Sequence, residues 1–166
     1  MKKLGFFKKN LFAFVAMLFG GLNFAWFALP YIGIGDRTVN GYQLMELMQE
    51  RNAPGSFIAL SVFQICTLVC AAVLAACGVM MFLRLFFFFL PVKLLHLVGT
   101  AAAIFYALFA LLALIFTIVV INSDDIQFVS GIFSFFGQKG AVIGAGCIVN
   151  LVFALLGASA VARFRK

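Results

Sequence analysis

Few side chains in this chain could do chemistry, and their spacing argues against catalysis. There are five acids (Asp36, Glu46, Glu50, Asp124, Asp125), one histidine (His96) and four cysteines (Cys66, Cys70, Cys77, Cys147). Nucleophilic catalysis needs a Ser or Cys beside a base, and acid-base work needs titratable groups held at a common centre. Asp36, Asp124 and Asp125 lie in polar connections with no such companion, which leaves only a weak case for an enzyme acting on lipid there. A lone His96 has too few fellow donors for a zinc or haem site. Cys66, Cys70 and Cys77 fall within about 40° of one another on a helical wheel, at 100° per residue. Apolar surroundings disfavour the thiolate, the reactive form, so these sulfurs read as small packing groups. No cysteine lies in a connection, so no disulfide-braced domain is expected. The residues therefore predict no catalytic site, no cofactor and no metal.

A second set of polar residues sits inside long apolar stretches: Asn23, Gln64 and Asn150. Counted from the ends of their stretches at 1.5 Å per residue, all three fall roughly 12 to 18 Å below the same boundary. Carboxamides both donate and accept, so three at one depth predict a hydrogen-bonded cluster between helices. Each such bond is worth about 0.6 to 2 kcal/mol in a membrane. The alternative is a polar path for a solute or ion. No ionisable residue shares that depth, which weighs against ion-coupled transport.

The elements that must hold these residues follow from composition. Of 166 residues, 66% are hydrophobic and 10% charged, and mean hydropathy is +1.19. A soluble surface needs about 25% charged residues, so a water-soluble fold is excluded. Four apolar stretches, about 11–34, 56–83, 94–121 and 141–161, reach the ~20 residues needed to span a bilayer, and no Asp, Glu, Lys or Arg interrupts them. Continuous apolar runs suit helices, whereas barrel strands would alternate. The expected fold is an all-α membrane protein, a tetraspan bundle of four transmembrane helices forming one domain over 1–166. The first stretch is too long for a signal-peptide core and lacks a small-x-small cleavage pattern, so it is expected to be retained.

Nine of the twelve basic residues (Lys2, Lys3, Lys8, Lys9, Arg84, Lys93, Arg163, Arg165, Lys166) fall on one side of this arrangement; all five acids fall on the other. The positive-inside rule then makes both termini cytoplasmic. The basic balance is explained by topology, with contact to anionic lipid as a by-product. Nucleic-acid binding would need a basic stripe on a folded surface. Lack of outer disulfides and glycosylation sequons favours a plasma membrane of bacterial inner-membrane type.

The connections add candidate contact surfaces. Asn40 and Gln43 have capping-box spacing, and Leu44, Leu47 and Met48 then share one face of a short amphipathic helix in the first outer loop, ended by Ala53-Pro54-Gly55. Pro30 is expected to kink the first helix or end it early. The second outer connection is rich in aromatics, with Phe128, Phe133, Phe135 and Phe136 beside few charges; in water these would form a sticky patch. With Leu44, Leu47 and Met48 they are candidate partner-binding residues, and the phenylalanines between Arg84 and Lys93 are a further one. Small residues repeat on helix faces, as in Ala16, Gly20 and Asn23, or Gly146, Asn150, Ala154 and Gly157. The expectation is a non-enzymatic accessory or structural subunit in a lipid bilayer, assembling with itself or another membrane protein. The alternative is a small transporter or channel component with Asn23, Gln64 and Asn150 near its path.

Overall fold

The computed structural model describes residues 2–34, 37–47, 53–83, 92–123 and 141–163, with backbone alone for 2–10, 34, 37, 47, 141 and 163. The chain is mostly helical. In order, it forms α1 (Lys2–Trp26), β1 (Pro30–Ile34), β2 (Arg37–Asn40), α2 (Gly41–Leu47), α3 (Gly55–Leu83), α4 (Val92–Asn122), β3 (Ala141–Ile143) and α5 (Ala145–Arg163). Among the described residues, three helical segments, Gly55–Leu83, Val92–Asn122 and Ala145–Ala162, are long and apolar enough to cross a membrane. The apolar part of α1, Leu11–Trp26, is shorter.

α1 and α4 each pack on both α3 and α5, so the four long helices form a ring in chain order. Neighbours run antiparallel: Gly20 of α1 meets Ala71 and Ala75 of α3, while Gly78 of α3 meets Ala13 and Met17 of α1. A Cβ on Gly20 would lie 2.6 Å from the Ala71 carbonyl oxygen, and one on Gly78 would lie 2.7 Å from that of Ala13. Only glycine allows this approach. Lipid gives helices no hydrophobic reason to associate, so close backbone packing has to supply the attraction. The burial pattern follows the same logic. Ala102, Ala103, Ala110 and Ala113 of α4 are buried, whereas Leu97, Ile104, Leu108, Leu111 and Ile115 stand exposed on its other face.

The apolar core has two parts. One gathers Phe12, Leu74, Leu95, Tyr106 and Ala154 from all four long helices. The other gathers Phe27, Tyr31, Leu44, Phe57 and Val120 near the opposite end. Hydroxyls within the helices bond to their own backbone: Thr67 donates to the Phe63 carbonyl at 2.7 Å, Thr100 to His96 at 2.6 Å and Thr117 to Ala113 at 2.7 Å. This return to the preceding turn satisfies a hydroxyl without a second helix.

The all-α expectation needs correction, because the described residues include a three-stranded sheet, ordered β2-β1-β3 and antiparallel throughout. The helical reading fails at the C-terminal end of 11–34 and at the N-terminal end of 141–161 for a local reason. Pro30 has no N–H to give an α-helix and biases Leu29 away from helical geometry, so α1 stops at Trp26 and the chain turns through Phe27 to Leu29. The β-branched residues Ile32, Val39, Val142 and Ile143 then favour strands. Ile32 pairs with Val39 on one side and Ile143 on the other. The sheet solves a satisfaction problem, since backbone leaving a helix near hydrocarbon must find partners inside the protein. Gly144 N–H donates to the Tyr31 carbonyl at 2.7 Å and Gly41 N–H to that of Phe27 at 3.0 Å. Gly144 rests against the Pro30 carbonyl, where a side chain has no room.

Candidate functional site

The polar residues inside the bundle meet at one place, built from four elements. Tyr106 of α4 carries its hydroxyl to 3.1 Å from Asn23 Oδ1 of α1 and 3.0 Å from Asn150 Oδ1 of α5. A phenol has one proton, so it donates to one amide oxygen at a time. Asn150 Nδ2 donates in turn to the Tyr31 hydroxyl of β1 at 2.9 Å. All four residues are at most 2% exposed. The result is a continuous chain Tyr31–Asn150–Tyr106–Asn23 that ties the sheet to three of the long helices.

Local sequence explains each placement. Asn23 lies three residues after Gly20, whose contact with α3 turns that face of α1 inward. Asn150 lies one turn after Gly146, which packs so closely on the Leu29 and Pro30 carbonyls that a Cβ would come within 2.9 Å. Tyr106 follows the buried Ala102 and Ala103 on the inward face of α4. Tyr31 is set by the turn that Pro30 enforces, and its ring packs at 5.4 Å on Phe27. Beside the network, Cys147 lies 3.7 Å from Thr117 Oγ1, with its sulfhydryl as donor.

The structure brings Asn23 and Asn150 together through Tyr106, but Gln64 does not join them. Gln64 is fully buried in α3, and neither its Oε1 nor its Nε2 has a hydrogen-bond partner among the described residues. The depth count explains the difference. It starts from the ends of the stretches, yet α1 ends at Trp26, eight residues before 34. With Gly20 level with Ala71 and Ala75, Asn23 stands level with about residues 68–72, and Gln64 lies roughly one to two turns further along α3, toward its start. The Asn23 Nδ2 and Trp26 Nε1 groups are also buried without partners among the described residues. Sequence reasoning missed Tyr31 and Tyr106. The available signal for Tyr106 was a lone phenol at mid-helix among small residues, since a buried tyrosine hydroxyl usually needs a partner.

The chain matches no family model, no curated protein and no solved structure. Its site therefore has to be read from its own chemistry. Two carboxamides and two phenols provide donors and acceptors without a formal charge. Among the described residues, no three His, Cys, Asp or Glu side chains come together as metal ligands.

The candidate contact residues divide sharply. Leu44 is fully buried, and its carbonyl accepts from Ser61 Oγ at 3.2 Å. It belongs to the core and is unavailable to a partner, which corrects the expectation for that residue. The side chain of Leu47 lies outside the described residues, as do Met48, Phe128, Phe133, Phe135, Phe136, Asp36, Glu50, Asp124, Asp125 and the 84–91 connection. Residues 41–47 form a clasp over the bundle. Asn40 Oδ1 accepts from Gln43 N–H at 2.9 Å and Gln43 Oε1 from Asn40 N–H at 3.0 Å, the reciprocal pair of a capping box. Tyr42 donates to the Phe24 carbonyl at 3.0 Å and its ring packs against Phe27 at 5.5 Å. Gly41 is pressed on the same Phe27 ring, with a Cβ position 2.6 Å from Phe27 Cδ1.

Proposed function

We propose that this chain is a non-enzymatic integral membrane protein that serves as a structural or accessory subunit. The observation that carries the reading is the Tyr31–Asn150–Tyr106–Asn23 chain: each of these four side chains is within hydrogen-bond distance of a side chain from another element of the same molecule. Groups held this way stabilise a bundle and leave little for a substrate to bind. α1 is the fourth span in this reading. Its 25 residues measure about 38 Å at 1.5 Å each, more than a hydrocarbon core of about 30 Å. Both termini are then cytoplasmic and the sheet with α2 lies on the outer side, in a plasma membrane of bacterial inner-membrane type.

Contact with a second copy or another membrane protein falls to the outward faces, because Gly20, Gly78, Gly99, Gly146 and Gly157 already have close neighbours within the chain. Crosslinking in the native membrane, followed by extraction in mild detergent, tests the proposal. A discrete higher-mass species is expected, and a monodisperse monomer with no adduct counts against it. A second reading, as a small transporter or channel component, is favoured by the buried Gln64, whose amide has no hydrogen-bond partner among the described residues. It predicts solute flux in proteoliposomes that Gln64→Leu abolishes.

A further inference from the structure

The start of α4 carries a groove of about 490 Å³ lined by Val92, Lys93, His96 and Leu97. Its two ends differ in chemistry. Lys93 and His96 supply a cation and an imidazole. Leu97 begins an aliphatic stripe that continues two turns on at Ile104 and then turn by turn through Leu108, Leu111 and Ile115, each 44 to 57% exposed. His96 is fixed in place from behind, its ring 4.2 Å from that of Phe12 of α1, and its carbonyl accepts from Thr100 Oγ1 at 2.6 Å.

In the sequence, the charged residues in and beside the segments that meet at this end have one sign. Antiparallel packing gathers here the start of α1, the end of α3, the start of α4 and the end of α5. The sequence places Lys2, Lys3, Lys8, Lys9, Arg84, Lys93, Arg163, Arg165 and Lys166 in or next to those segments, with no Asp or Glu among them. Lys8 lies one turn before Phe12 in α1. A ligand for the groove must therefore be an anion at one end and a hydrocarbon at the other, and must be available at a membrane boundary.

We infer that Lys93 and His96 bind the headgroup phosphate of an anionic phospholipid whose acyl chain lies along the Leu97–Ile115 stripe. Basic pockets at a membrane face recognise such headgroups, and one cation near an anionic interface is worth about fivefold in affinity. The inference rests on the chain lying in a bilayer and is independent of what it assembles with.

The test uses the full chain purified in dodecyl maltoside, with phosphatidylglycerol or phosphatidylcholine of identical acyl chains added and retained lipid counted by native mass spectrometry. Wild-type protein is expected to retain phosphatidylglycerol and not phosphatidylcholine. Lys93→Gln should weaken retention about fivefold, Lys93→Gln with His96→Gln more, and Lys93→Arg little. The pair Lys2→Gln and Lys3→Gln, which are not among the residues that line the groove, should leave it nearly unchanged. Equal retention by the Lys93→Gln, His96→Gln variant overturns the inference, as does an equal loss in the Lys2, Lys3 control, which would mean diffuse attraction. Competition by inorganic phosphate as strong as by the lipid would also overturn it, since the acyl stripe would then contribute nothing. Lys93 is exposed, so the single variant decides the matter if the double one does not fold. A negative result leaves the subunit proposal standing.

Discussion

At the residue scale, the two fates of buried amides in this molecule make opposite predictions. The Tyr106 hydroxyl is the joint between Asn23 and Asn150. Tyr106→Phe keeps the ring and removes the donor, leaving two buried amide oxygens short of a proton. It should lower stability by about 1 to 2 kcal/mol, the scale of interhelical hydrogen bonds in membranes, as read from thermal unfolding in detergent. An unchanged midpoint would mean that the network adds nothing. Gln64 is the reverse case. Both polar ends are buried without partners among the described residues, and an unsatisfied buried group costs about 1 to 3 kcal/mol. Gln64→Met conserves shape and removes that cost, so the variant should unfold at the same or a higher temperature; a fall of several degrees would show that Gln64 has a partner after all. Sequence showed that amides lay deep in apolar helices. It did not show which would meet, because a helix that stops eight residues early shifts every depth counted from its far end.

At the scale of elements, helix pairs in this bundle are set by where a side chain is impossible. Gly20 and Gly78 meet carbonyl oxygens and amides of the facing helix, whereas Gly21, one residue along, has nothing within 4 Å of its Cβ position. Gly78→Ala should therefore push α1 and α3 apart and cost about 1 to 3 kcal/mol, as overpacking does. Gly21→Ala should be neutral or stabilising by up to about 1 kcal/mol through helix propensity alone. Equal unfolding midpoints for the two variants would refute the close α1–α3 contact. The strands follow a similar logic. Gly144 packs on the Pro30 carbonyl, so Gly144→Ala is expected to detach β3 from β1, seen as faster amide exchange at Ile32 and Gly33. Glycine spacing in the sequence flagged the helix faces as approachable. Which neighbour each face takes could not be read there, since any small-residue face fits several others.

At the scale of the whole molecule, an antiparallel ring brings the start of α1, the end of α3, the start of α4 and the end of α5 to one end and the sheet with α2 to the other. Cysteine-reactive labels on a cysteine-free variant test this directly. A cysteine at position 3 and one at 165 should react with a membrane-impermeant maleimide from the same side, and one at Thr38 from the opposite side. Labelling of the two terminal positions from different sides would remove the tetraspan arrangement. The amino-acid composition alone argues for an apolar solvent, because so few charges cannot clothe a soluble surface. The sequence determined the three long apolar helices as well, because runs of that length satisfy their own backbone. It also marked Pro30 as the point where the first helix fails. Packing between distant segments set what the chain does after that failure, pairing β1 with β2 and β3 to satisfy stranded backbone groups. It likewise decided that Tyr106 and Tyr31 complete the polar chain while Gln64 stays outside it. Hydrogen bonds of that kind depend on the relative level and rotation of separate helices, and no periodicity within a single helix encodes either one.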